Sequence, residues 1–210
     1  MEPVTLYKTL ERHIPPVALP YCFRLWEEHP FLFTVKRTRI TKVGDFMWRP
    51  GRPPRISVNR ESHPYLFLIT YIHEVAHLRV HQEFGPKVDP HGREWKSRFQ
   101  QLMDPVMKEE VFPGPLLREL RKHMKDPMAS SFSDPVLTQA LRNHDEKQKN
   151  VILLHELPEG SVFGLHGKWF RKGKTRRTRV MCSELNSCRN YLVPVDAPVE
   201  QAQLRFPGFQ

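Results

Sequence analysis

From Tyr65 to Leu78 the chain reads Y-L-F-L-I-T-Y-I-H-E-V-A-H-L, with no Gly or Pro. Such a run predicts a helix, and apolar residues fall on nearly every face of it. A surface helix keeps a polar stripe, so this one has to pass through a domain core. It nevertheless carries His73, Glu74 and His77, an H-E-x-x-H run. Histidines at i and i+4 share one helix face and can converge on a single tetrahedral Zn²⁺, with Glu74 set to take a proton from a metal-bound water. The alternative is a core helix whose histidines only hydrogen-bond, but a buried carboxylate beside two imidazoles is costly unless paired.

A catalytic zinc needs three protein ligands and an open fourth position. Downstream, Asp89-Pro-His-Gly-Arg-Glu-Trp-Lys-Ser-Arg-Phe99 puts His91 in a Pro/Gly-broken turn that opens a new helix and can fold back toward the first two histidines. Glu94 stays open as a carboxylate third ligand. His81 lies two turns beyond His73, a rise of about 12 Å, too far to share the metal, and is read as a pocket-wall or surface histidine. The metzincin spacing is not met, because Glu83 and Val80 stand where that class has its third His and its Gly. The oxyanion-stabilising group stays unassigned among Tyr71, Arg93 and His81.

The 210 residues can hold one mid-sized domain and a small appendage, and 39% hydrophobic residues suffice for a core. The charged N-terminal segment lacks the apolar stretch of a signal peptide. The apolar stretch around the motif is shorter than the ~20 residues a membrane span needs. Cys22, Cys182 and Cys188 are too few and too scattered for a disulfide framework. A soluble cytoplasmic monomer is expected, nucleoid-associated if prokaryotic.

Thr5–His13 and Tyr21–Glu28 suit short helices. Phe31–Gly44, Asp45–Trp48 and Arg55–Asn59 have the β-branched and aromatic alternation of strands, so a small antiparallel sheet should precede the motif helix. Helices follow near Arg93–Leu102, Leu116–Met124 and Val136–Asn143. Short strands return at Val151–Leu154, Ser161–Phe163, Trp169–Phe170, Thr178–Met181 and Asn190–Val193. The expected organisation is an α+β domain over 1–125, a linker with a helix over 126–150, and a β-rich basic unit over 151–210.

These residues resemble the SprT-like zinc metallopeptidases, whose eukaryotic relatives include the Spartan proteases that act on DNA-protein crosslinks. The resemblance covers the strands Arg37–Val43 and Ile56–Asn59, the His73-Glu74-x-x-His77 helix and the turn His91-Gly92-x-Glu94-Trp95-x-x-x-Phe99. It extends to Gly173-Lys174-x-Arg176-Arg177-x-Arg179-Val-x-Cys182 and Tyr191, which look like that family's basic strand and zinc-ribbon end. It implies a zincin-like fold, one catalytic Zn²⁺ on His73, His77 and His91, and Glu74 as general acid/base. The ribbon departs from the family: a Cys₄ site needs two cysteine pairs, and only Cys182 and Cys188 are near each other, so a metal-free β unit is expected.

The net charge of +10 points to a polyanionic partner. Between Gly160 and Val180 stand seven cations and no acid, namely Lys168, Arg171, Lys172, Lys174, Arg176, Arg177 and Arg179, beside Trp169 and Phe170. Basic residues give salt-dependent phosphate contacts and aromatics give stacking surfaces, so DNA contact without sequence preference is expected here. The plainer reading is a solvated strand face. A second set, Lys36, Arg37, Arg39, Lys42, Arg49, Arg52 and Arg55, flanks the first sheet. The expected function is zinc-dependent peptide-bond hydrolysis on DNA-associated proteins. A nucleic-acid-binding protein with a structural zinc, and a small-substrate zinc amidase or peptidase, stay open.

Overall fold

The computed structural model describes residues 2–37, 39, 42–60, 63–128, 134–144, 152–165, 167–195 and 197–201. Thr38, Ile40 and Thr41 of the first expected strand, linker residues 129–133 and 145–150, Val151, His166 and residues 202–210 of the C-terminal unit lie outside the described residues. The chain divides into two compact units, Met1–Leu141 and Arg142–Gln210.

The first unit is α+β. It runs α1 (Pro3–Glu11), α2 (Leu19–Glu28), β1 (Leu32–Lys36), β2 (Gly44–Arg49), β3 (Arg52–Asn59), α3 (Pro64–Phe84), α4 (Arg93–Met103), α5 (Gly114–His123) and α6 (Pro135–Asn143). Helix α3 begins at Pro64, whose missing N–H costs nothing at a helix start, and ends at Gly85, whose φ of 72° a side chain would oppose. It is the axis of the core: Phe67, Leu68, Ile69, Tyr71, Ile72, Val75, Ala76 and Leu78 are all buried. Phe33 of β1 meets Phe67 and Tyr71 edge-on at 6.2 and 5.5 Å, a preferred aromatic geometry. Removing one such ring would cost about 3–5 kcal/mol.

The sheet order is β1-β3-β2, and here the expectation of an antiparallel sheet is corrected. β2 pairs antiparallel with β3, but β1 pairs parallel with it, Leu32 opposite Arg55 and Lys36 opposite Asn59. Gly44 falls at the boundary between the first two expected strands. The hairpin instead closes between β2 and β3, at Pro50-Gly51, where Gly51 has φ 70°. Gly44 is the first residue of β2, and β2 forms an edge of the sheet.

Much of the stretch read as a linker belongs to the first unit. Leu137 and Leu141 of α6 join its core. Asp134 caps α6 by accepting from the Val136 and Leu137 amides at 3.1 Å, and its second oxygen lies 3.0 Å from Nδ1 of buried His123 at the end of α5.

The second unit carries a six-stranded sheet in the order β4-β9-β5-β6-β7-β8, with β4 (Ile152–Leu153), β5 (Val162–Leu165), β6 (Lys168–Thr175), β7 (Arg179–Glu184), β8 (Asn190–Pro194) and β9 (Pro198–Gln201). All its pairings are antiparallel. Its core includes Phe163, Phe170, Val180, Cys182 and Val193. This corrects the ribbon-like expectation. The unit is a packed sheet in which Cys182 faces the core while Cys188 is exposed in the turn after β7, so the two thiols serve different surroundings.

Candidate metal centre

Helix α3 brings Nε2 of His73 and Nε2 of His77 within 3.1 Å, as side chains one turn apart require. His91 reaches them from the connection between α3 and α4, its backbone N–H held by Asp89 Oδ1 at 3.1 Å, and its Nε2 stands 3.1 Å from His77 and 3.4 Å from His73. Among the described residues this is the group of His, Cys, Asp and Glu side chains disposed to hold a metal, and Glu94 is not part of it.

These spacings fit zinc. Three nitrogens each about 2.0–2.1 Å from a tetrahedral ion lie about 3.3–3.4 Å apart. Without a cation the triad is poorly satisfied, because each Nε2 offers either one hydrogen or one lone pair to two neighbours. Burial lowers the pKa of all three rings. His73 falls well below its ordinary value, with its imidazole neighbours adding to burial, and His77 falls to about 3; for His91 burial outweighs the opposing pull of Asp89. Neutral imidazole is the form that binds metal.

Trp95 of α4 forms the floor. Its ring lies 4.6, 5.4 and 4.7 Å from those of His73, His77 and His91, and Phe99 stacks behind it at 4.9 Å. A fully buried indole against three imidazoles restricts their rotation, which is how outer residues orient ligands. The other wall comes from β2. Phe46 stacks on His77 at 6.5 Å, and exposed Trp48 lies 4.5 Å from His81. His81 is therefore a wall residue, one turn beyond the triad.

Glu74 is buried and sits against the start of β2. Burial raises its carboxyl to about 8, Asp45 adds to the rise, and the Phe46 N–H, Arg39 and Lys42 oppose it. Tyr71 is a packing residue, its hydroxyl donating to the Cys22 carbonyl at 3.0 Å.

Over a short stretch the chain is similar to Protein SprT. It is 51% identical over 37 residues to Protein SprT of Pseudomonas paraeruginosa (strain DSM 24068 / PA7) and of Pseudomonas aeruginosa (strain UCBPP-PA14), covering 18% of this chain and 22% of theirs. For Protein SprT of Pseudomonas fluorescens (strain SBW25) the identity is 49% over 37 residues, 18% of this chain and 23% of that one. The matched stretch thus spans about a fifth of the length of these relatives. No family model and no solved structure matches the chain.

The basic run of the second unit is divided by strand alternation. Arg171, Lys174, Arg176, Arg177 and Arg179 are exposed. Lys172 is buried, donating from Nζ to the Leu157 and His155 carbonyls, and Lys168 pairs with Glu184 at 3.0 Å. Lys172 was expected to meet nucleic acid, and its inward position removes it from any such surface. Phe170 likewise stacks on Phe163 in the core, while Trp169 is 43% exposed. Of the second basic set, Arg39 is held by Asn59 and Ser57, and Lys42 pairs with Asp45 at 2.6 Å. Among the described residues no helix is long and apolar enough to cross a membrane.

Proposed function

We propose that the chain is a SprT-like zinc metallopeptidase with a zincin-like catalytic unit, hydrolysing peptide bonds in DNA-associated proteins. The observation that carries this reading is the convergence of His73, His77 and His91 through Nε2, with Glu74 beside them on α3. Those three imidazoles would hold one Zn²⁺. When bound, the ion supplies Lewis acidity, polarising the scissile carbonyl and acidifying a water ligand toward pKa ~7.

The chain's own residues do the rest. Glu74 takes the proton of the attacking water and returns it to the leaving amine nitrogen. Its raised pKa means that, without a metal ion, it keeps its proton at neutral pH; a dication held by the triad would favour the carboxylate that the base requires. Trp95 and Phe99 exclude water behind the triad. Removing metal with a chelator should stop cleavage of an unfolded protein, and added zinc should restore it. His91→Ala should lower zinc content, measured by elemental analysis. Cleavage that persists after complete metal removal would sink the proposal.

DNA is proposed as the partner of the second unit. Exposed cations of its basic run, among them Arg171, Lys174, Arg176, Arg177 and Arg179, lie close in sequence to exposed Trp169. Reversing the charge of Lys174, Arg176 and Arg177 together should weaken DNA binding and reduce its salt dependence. Each lost phosphate contact removes about 0.9 from the log–log salt slope on duplex, so up to about 2.7 is expected. Zinc content should not change. An unaltered salt slope would leave the basic run as a solvated strand.

A further inference from the structure

Gly44 has no positive φ, so its backbone does not require glycine. The space around it does. A Cβ at position 44 would stand 2.6 Å from Thr70 Cγ2, 2.9 Å from Glu74 Cδ and nearer still to Glu74 Oε1, all inside ordinary contact distance. Thr70 and Glu74 are buried one turn apart on the face of α3 that packs against β2. Two residues along the same strand, the backbone N–H of Phe46 opposes the rise in the Glu74 pKa. The strand therefore approaches closely at Gly44, and the approach sets its backbone against the carboxylate.

We infer that Gly44 is a positioning residue for Glu74, the missing side chain letting β2 lie directly against the carboxylate and fix its place on α3. The role rests on the reading of Glu74 as the base. Gly44 touches neither the triad histidines nor a substrate; it acts through Glu74. A methyl group at 44 has two ways to be accommodated: the carboxylate swings away from the strand, or β2 lifts from α3. Either moves the base relative to the water it deprotonates. Misplacing a catalytic group by about an ångström costs about 100-fold in rate.

Gly44→Ala should therefore keep its zinc and its KM within about threefold while kcat falls about 100-fold. Two companions separate positioning from packing. Thr70→Ser removes only Cγ2; if Gly44→Ala/Thr70→Ser regains parental kcat, the glycine serves helix packing and the inference is overturned. In a stability cycle measured by urea unfolding of the metal-free proteins, the destabilisation caused by Gly44→Ala should shrink in a Glu74→Ala background, where the carboxylate is gone. An equal destabilisation in both backgrounds overturns the inference, and the cycle needs no activity. Should Gly44→Ala alone fail to fold, the Glu74→Ala/Gly44→Ala protein still folds if the clash is with the carboxylate, and fails too if it is not. A parent that hydrolyses nothing overturns the peptidase reading. An active parent with a fully active Gly44→Ala variant overturns only the positioning role.

Discussion

Glu74→Gln should retain zinc and fold yet lose peptide-bond hydrolysis by about 100-fold or more, since general acid–base groups contribute about 10²–10⁴-fold. The amide matches the carboxylate in shape but cannot accept the proton of the attacking water. Stability should not fall. Glu74 is buried, its carboxyl rises to about 8 in the metal-free site, and an amide there replaces a group that is itself neutral at pH 7, so no new charge is buried. The variant thus separates catalysis from folding. Cleavage of an unfolded protein, followed with and without DNA, is the measurement, and a parental rate in the variant would remove Glu74 from the chemistry.

The second large effect is on the metal-free protein as pH changes. In the folded state the three triad imidazoles are held below their ordinary value of 6.5, His77 at about 3. The unfolded chain therefore takes up protons below pH 6.5 that the folded chain refuses. Stability falls as pH drops from 6.5 toward 3, by about 1.4 kcal/mol per unit for each fully shifted ring. Glu74 has the opposite sign. Its unfolded carboxyl titrates near 4.5 and its folded one near 8, so its contribution is lost as pH rises through that window. Below pH 6.5 the imidazoles outnumber the carboxyl, and above it the carboxyl acts alone. The metal-free protein should be most stable near pH 6.5. Urea midpoints at pH 5, 6.5 and 8 test this, and a midpoint that does not vary would contradict the burial of the four groups. Saturating zinc should raise the unfolding free energy throughout the range where the imidazoles are free to bind, by about 3–4 kcal/mol at 100–1,000 times its Kd, and the midpoint with it.

The motif helix and the turn bearing His91 were legible in sequence because their signals are local. Hydrophobicity on every face marks a core helix, i and i+4 spacing aligns His73 with His77, and a Pro/Gly turn frees His91. The helices α2, α4, α5 and α6 were readable for similar reasons, from apolar spacing and flanking breakers. What could not be read depends on which strand lies beside which element. The parallel pairing of β1 with β3 follows from placing the hairpin at Gly51 rather than Gly44, and both are glycines. The part of Gly44 at the site arises only when β2 packs on α3. Trp95 stood in the quoted motif without a role, although its position four residues after His91 was the available signal. Lys172 was misjudged because a run of cations hides strand alternation, which turns every second side chain toward the core.

The third histidine comes from the connection after α3, fourteen residues beyond His77. The other two sit on a helix already locked by the core. An ion shared by all three acts on chain entropy as a covalent cross-link would, pinning one loop of about that length. A comparable disulfide loop is worth about 3 kcal/mol, drawn mainly from the disorder of the open chain. On the proposed reading, losing the ion would remove that cross-link and leave the segment from Gly85 to Gly92 held by its remaining contacts, such as the Asp89 carboxylate on the His91 N–H. A peptidase built this way would surrender its reactivity by loosening a single strap while the rest of its architecture stayed assembled.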